Sequence, residues 1–489
     1  MNKNKNIENK NQRMYNPAYH FKPNKEWMND PNGLIYINGY YHMFFQHDKI
    51  DHVFKDMSWG HAVTKDFIHW EELDVAIKPD ELGVIYSGST IIDRHNHSGL
   101  GKDSILAFYT STLPRQQQSL AYSLDHGKTF LKYRENPIIE NNPLSNIPDD
   151  FRDPKVIWHD GTKKWIMLIA AFNRIHFWTS RNLIHWNREY EFYDEMDKKI
   201  GVFECPDLFQ LPINGDHQNG NKWVLLLSSN MGGINGETCT RYYTGDLQVD
   251  AYEKISFARD DQPFKILDFG RDNYASITWS NVLDRTLLIG WMNNWEYAFQ
   301  TPTKEWKGMM TLPRELSIWS YSEGIKLISK PVAEIEARFN IPIVEEQILC
   351  SQKEAYVGEQ LMCSKVEVLL ERHNALETGI ELYNEQGEYV RIGYHAIDAC
   401  FYVDRRMSEN VFIHKGFKGI HTTPNVGIRN KVQMTIYIDR TSVEVFFENG
   451  EYVMSDLVFP LSPYTNINLY GDDEMNVAKA NIMTLDMTL

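Results

Sequence analysis

The stretch KWIMLIA, Lys164 to Ala170, follows the turn HDGTKKW and sets the reading of the whole chain. It is short, apolar and opened by turn residues, as a strand forming the second arm of a hairpin is. Four runs of the same kind occur: YYHMFFQ from Tyr40, SILAFYT from Ser104, KWVLLLS from Lys222 and TLLIGWM from Thr286. Taken in order, the five starts are separated by 64, 60, 58 and 64 residues. A near-constant period over five copies marks repeated supersecondary units. The other turns, INGYY, HSGLGKD, NGDHQNGNKW and NVLDRT, are rich in Gly, Asn and Asp. A third strand with a Ser/Thr turn and a following aromatic recurs in HAVTKDFIHWEEL, LAYSLDHGKTFLKY and IHFWTSRNLIHWNREY. Units of about four antiparallel strands repeated radially make a β-propeller. The expected fold is all-β, with a five-bladed propeller over residues 25–328. A long β-sandwich with coincidental spacing is the competing reading.

The period stops near Ile328. Residues 329–347, with KPVAEIEARFNIPIVEEQ, read as a linker, and residues 1–24 as a polar N-terminal extension. From 348 to 489 the strands SKVEVLLER, GIELYNE, EYVRIGYH, CFYVDR, KVQMTIYIDR and SVEVFFENG alternate between tight turns, as in a β-sandwich.

Composition narrows the function. The 489 residues carry 50 Lys plus Arg against 66 Asp plus Glu, a net charge of -16. Nucleic-acid phosphates and anionic membranes both demand the opposite sign. Apolar runs such as WIMLIAAF fall far short of the roughly 20 residues needed to span a bilayer. The first twenty residues lack the apolar core of a secretory signal. Five scattered cysteines show no C-x-x-C spacing, so reduced thiols and a cytoplasmic location are expected.

The candidate site comes from the repeat. The innermost strand of each blade lines the central channel. Asp30 in EWMNDPNG lies eight residues before the first turn, at Asn38, and Asp153 in DDFRDPKV lies eight before the third, at Gly161. Glu204 opens ECPDLFQLPI in the fourth unit, with Asp207 as its rival. The three carboxylates should converge on one axial pocket, with Tyr86, Ser87, Asp272 and Tyr274 around them. Crowded carboxylates repel when ionised, so one should keep its proton into the neutral range. A protonated acid beside an ionised carboxylate is what glycoside hydrolysis requires. Trp27, Trp59, Trp291 and Trp295 suit sugar faces, and Asn29 and Gln46 suit hydroxyls. Turn chemistry alone could explain each Asp-Pro, and blade core each Trp; the recurrence at one blade position favours a site. No histidine adjoins the carboxylates and no calcium-loop pattern occurs, so no metal is expected.

WMNDPNGLIY, MSWGHAVTKDFIHW, YSGS, FRDPKV, FECPDLF, RDNYASITWS, IGWMNNWEYA and TLPREL, in this order, resemble glycoside hydrolase family 32, the invertases, levanases and inulinases. The resemblance implies a propeller followed by a sandwich. It implies Asp30 as nucleophile, Asp153 as transition-state stabiliser and Glu204 as general acid/base. It places Trp27, Asn29, Gln46, Trp59, Tyr86, Ser87, Arg152, Tyr274 and Trp291 along a fructose pocket. It further implies a retaining, exo-acting β-fructofuranosidase without a cofactor, acting on sucrose and short fructo-oligosaccharides. A fructosyltransferase, a sucrose-6-phosphate hydrolase and a non-catalytic sugar-binding propeller are the alternatives. A small carbohydrate is the expected partner, and a homo-oligomer is left open.

Overall fold

In the computed structural model, residues 14–141, 147–195, 201–350, 354–357, 361–409, 412–472 and 477–486 are described. Five sheets follow one another through the first two thirds. Blade one holds Glu26–Ile37, Tyr40–Asp48, Ser58–Thr64 and Trp70–Ile77; blade two holds Ile85–Asp93, Ser104–Ser111, Gln117–Ser123 and Leu131–Lys132. Blade three holds Phe151–His159, Lys164–Ala171, Arg174–Ser180 and Asn187–Phe192; blade four holds Phe203–Pro212, Asn221–Ser229, Cys239–Val249 and Ile255–Arg259. Blade five holds Tyr274–Thr278, Thr286–Trp291, Arg314–Tyr321 and Gly324–Pro331. The inner strand of each blade packs on the inner strand of the next, and that of blade five returns to blade one, which closes the ring. The pair Trp306–Lys307 joins Glu26–Trp27 in parallel at the seam of closure.

The five apolar runs are the second strands. They read as continuous rather than alternating because both of their faces are covered by neighbouring blades: every residue of Ser104–Ser111 is buried. Separate apolar clusters fill the gaps between blades one and two, two and three, three and four, and four and five. The Ser/Thr turns also repeat in atomic detail. Asp66 and Asn182 each accept two backbone N–H groups, and Trp70 and Trp186 each donate to a carbonyl three residues back.

The C-terminal part is two six-stranded sheets face to face. Here two expectations change. The strand Phe339–Cys350 pairs with Val477–Leu485, so the second half of the segment read as linker, from Phe339, belongs to the sandwich. Only a short helix, Ala333–Glu336, separates the domains. The lone apolar-polar pattern of FNIPIVEEQ was too irregular to show a strand, because three register shifts break its pairing. The described part of the N-terminal extension is no free tail. The backbone N–H groups of Ala18 and Tyr19 donate to Asp439, and His20 bridges Asp439 and Glu444 at 2.8 Å each. Arg314 crosses the same seam from the propeller, bonding Asp268 at 2.9 Å and Glu444 at 2.6 Å.

Candidate active site

Every inner strand is interrupted near its start, and that of blade one a second time between Asn32 and Ile35. In blades two to five, the residues just before the interruption are Tyr86, Arg152, Glu204 and Tyr274; the next ones, within it, are Ser87, Asp153, Cys205 and Ala275. In blade one the interruption runs over Asn29 and Asp30. A bulge frees residues from the ladder and re-aims their side chains. Asp153, Cys205 and Ala275 take left-handed backbone angles there, φ 63, 47 and 54. Non-glycine residues accept such strain only where their surroundings fix them.

The register refines the sequence alignment. Glu204 shares its position with Arg152, Tyr86 and Tyr274, while Asp153 shares its own with Cys205 and Ser87. The two sets form two tiers. In the first, Arg152 bonds Glu204 at 3.1 Å and Asp150 at 2.6 Å, and the Tyr274 hydroxyl donates to the other oxygen of Glu204. In the second, Ser87 Oγ donates to Asp30 at 2.6 Å and Asn29 Nδ2 at 3.0 Å. The Cys205 N–H donates to Asp153 at 2.9 Å, and the Cys205 thiol lies 3.5 Å from Asp30 and 3.7 Å from Asp153. Trp27 Nε1 donates to Asn29 at 2.8 Å, so an indole fixes the amide that fixes Asp30.

A cavity of about 280 Å³ opens over these groups, lined by Asn29, Asp30, Gln46, Tyr86, Ser87, Arg152, Asp153 and Glu204. Phe54, Gln116, Asp150 and Trp295 complete its wall. Among the described residues Gln46 is buried with no partner for either amide atom, which suits it to bond a polar ligand. Burial pushes the Asp153 carboxyl up to about 7; Arg152 opposes this, and Asp30 and Glu204 add to it. Burial also raises Asp30, against its donors Ser87 and Asn29. The expected retained proton is therefore present, but the group pushed to about 7 is Asp153.

Three further placements differ from the sequence reading. Trp27, Trp59 and Trp291 are fully buried, so they support the cavity rather than face it. Trp59 donates to the Tyr86 carbonyl at 3.0 Å, and Trp27 stacks on Phe299. Asp272 lies away from the pocket, where it accepts from Tyr297, Arg405 and the Leu457 N–H. Its sequence neighbour Tyr274 points inward, so proximity along the chain was a poor guide. Asp207 is buried and paired with Lys155 at 2.9 Å and with Thr278, which leaves it no freedom to act as the acid. Phe54 was missed because it sits in an irregular loop, held by Asp48 accepting the N–H groups of Ile50, Asp51 and Asp56.

Residues 20–331 match the family description Glycosyl hydrolases family 32 N-terminal domain, and residues 315–484 match its C-terminal domain. The chain belongs to glycoside hydrolase family 32. This family 32 chain is 38% identical over 477 residues to a levanase of Bacillus subtilis (strain 168), covering 94% of itself and 68% of that protein. It spans half the length of a levanase of Bacillus sp. (strain L7). It is 32% identical to an extracellular exo-inulinase of Aspergillus awamori, with 93% of this chain and 91% of that protein covered. The crystal structure of exo-inulinase from Aspergillus awamori superposes with a TM-score of 0.86 at 31% identity, over 97% of this chain and 99% of that one. A β-fructofuranosidase from Schwanniomyces occidentalis, complexed with fructosyl-erythritol, gives a TM-score of 0.85 at 28% identity, again over 97% and 99%.

Proposed function

We propose that this enzyme is a retaining, exo-acting β-fructofuranosidase that removes terminal fructosyl units from sucrose and short fructans. The observation that carries the proposal is the convergence of Asp30, Asp153 and Glu204 from three blades on one cavity. Asp30, oriented by Ser87 and Asn29, attacks C2 of the terminal fructosyl unit. Glu204 donates its proton to the departing oxygen as the bond to C2 breaks. Glu204, now ionised, then takes a proton from water as that water attacks C2, and Asp30 leaves. Arg152 and the Tyr274 hydroxyl hold Glu204 through both steps. Asp153, fixed by the Cys205 N–H, accepts from sugar hydroxyls and faces the positive charge that develops at C2. The reaction needs no cofactor. A cytoplasmic location belongs to the same proposal and is supported by thiols outside any disulfide at Cys205, Cys363 and Cys400 among the described residues; cell fractionation tests it.

Glu204→Gln tests the roles. Hydrolysis of sucrose should fall by about 10²–10⁴-fold. A fructoside with an acidic leaving group should retain its first step, and azide should restore turnover by replacing water. Wild-type rates in Glu204→Gln would remove Glu204 from the mechanism. A panel of sucrose, sucrose-6-phosphate, 1-kestose, inulin and levan ranks the substrates, and product analysis at high sucrose separates hydrolysis from fructosyl transfer.

A further inference from the structure

The loop 230–238 follows strand Asn221–Ser229 at the cavity face of blade four. Ser228 lies directly across from Glu204, and Asn230 clasps the residue before Phe203: its N–H donates to the Val202 carbonyl at 3.3 Å and its Oδ1 accepts the Val202 N–H at 2.8 Å. The loop therefore starts beside the strand that carries the proposed acid. Its shape is fixed from beneath. Ser229 Oγ and Arg241 Nη2 both donate to the Met231 carbonyl, at 2.8 and 2.6 Å. A Cβ at Gly232, where φ is +94, would lie 2.4 Å from the Arg241 guanidinium, and one at Gly236 would lie 2.6 Å from that of Arg271. At Gly232 the backbone angle itself favours glycine, and at Gly236 a Cβ would force the Arg271 guanidinium to shift.

The remaining support comes from the other domain. Asn235 Nδ2 donates to the carbonyls of Phe269 and Thr422 at 2.7 and 2.8 Å, and its Oδ1 accepts the Thr422 N–H at 2.9 Å. Thr422 ends the strand Ile420–Thr422, at the edge of the second sandwich sheet. The side-chain amide thus bonds that edge as another strand's peptide group would. Above this clamp, Met231 and Ile234 are 42% and 51% exposed.

We infer that loop 230–238 is a specificity element for the leaving chain beyond its first sugar, and that Asn235 is the positioning residue through which the sandwich holds it. The inference rests on the proposed function. Met231 and Ile234 offer apolar contact to the C–H faces of sugar rings leaving past Glu204. Sucrose, whose leaving group is a single sugar, does not reach them.

The experiment compares wild type, Asn235→Ala and Ile234→Ser on sucrose and on a β-fructan polymer, with kcat and KM measured for each. In both variants the polymer KM should rise about fivefold with little change in kcat, and kcat/KM for sucrose should stay within about twofold, a loss in uniform binding rather than in chemistry. Ile234→Ser alters an exposed side chain and keeps the test open if Asn235→Ala folds poorly. Equal losses on both substrates, or an unchanged polymer KM in Ile234→Ser, would overturn the assignment. A wild type inactive on both substrates overturns the functional reading and this inference with it; an active wild type with silent variants overturns only the loop's role.

Discussion

The cavity and the seam between the domains both bury acidic side chains beside one another, yet their protons behave in opposite ways. In the cavity, burial lifts Asp153 to about 7 and raises Asp30. In the seam, burial also pushes Glu444 upward, but Arg314 and His20 outweigh it and hold the group down to about 2. Asp439 is lowered likewise, by His20 against burial. Desolvation is common to both regions; the supply of cations is not. In the seam His20 and Arg314 each bond two carboxylates, with Glu444 shared between them. Among the described residues of the cavity, Arg152 is the one cation paired with Asp150, Asp153 and Glu204. Charge is neutralised where it serves stability and left partly uncompensated where a sugar must be bound and protonated.

The largest effect should come from the cavity. Asp30→Asn removes the proposed nucleophile and should lower kcat by on the order of 10⁴-fold or more for every fructoside, with no change in unfolding midpoint to match. Steady-state rates together with denaturant unfolding check this, and a parallel loss of fold would break the contrast. Arg314→Met is its counterpart. It strands Asp268 without its cation, leaves Glu444 to His20 alone, and should cost about 3–5 kcal/mol of stability, read in urea unfolding. Residual activity per folded molecule should survive.

Asp153→Asn sharpens the comparison by moving both quantities in opposite directions. A carboxyl raised to about 7 in the folded state is ionised more easily after unfolding. Its presence destabilises the fold progressively as pH rises from about 4 to 7, and fully above that. The amide should therefore stabilise the protein at pH 8 by on the order of 1–3 kcal/mol, be nearly neutral near pH 4, and abolish most activity. Unfolding midpoints across that range decide it; destabilisation at pH 8 would show Asp153 to be structurally compensated. His20 gives the smaller effect and the opposite sign. Burial lowers its pKa, but the hydrogen bonds it donates to Asp439 and Glu444 prevail and raise it to about 9. Its stabilisation is complete below about 6.5 and fades as pH rises through 9, by up to about 3 kcal/mol. His20→Gln should flatten the alkaline fall of the unfolding midpoint. An unchanged slope would remove His20 from the account.

The same contrast explains what could be read from the chain. The period placed the second strands: runs beginning at Tyr40, Ser104, Lys164 and Thr286 begin strands at those residues, and the run from Lys222 begins one residue earlier, at Asn221. Covered on two faces, these strands must be apolar throughout, so sequence shows them. Asp30 and Asp153 were legible because each stands eight residues before a turn, and Glu204 because it opens the matching strand of the fourth unit. Their tiering was not, because a bulge adds a residue without changing composition, and Glu204 falls one step from Asp153 in register. The seam was hidden for a different reason. His20, Arg314 and Asp439 are far apart along the chain and share no period, and Asp272 looked like a pocket residue until its partner Arg405 came from the other domain. Burial of Trp27, Trp59 and Trp291 was equally invisible, since a tryptophan that props a cavity and one that faces it are the same letter.

The interruption in each inner strand has a consequence for how such a ring can change. Each blade presents one or two side chains at its bulge, while its stability resides in the covered strands further out. Ser87, Asp153, Cys205 and Ala275 occupy matching stations with four unrelated chemistries. Replacing the occupant of a station alters what the ring can bind or protonate without disturbing the packing between blades. The scaffold behaves as a socket with five contacts, and a lineage could rewire one contact at a time while the remaining four keep the substrate in register.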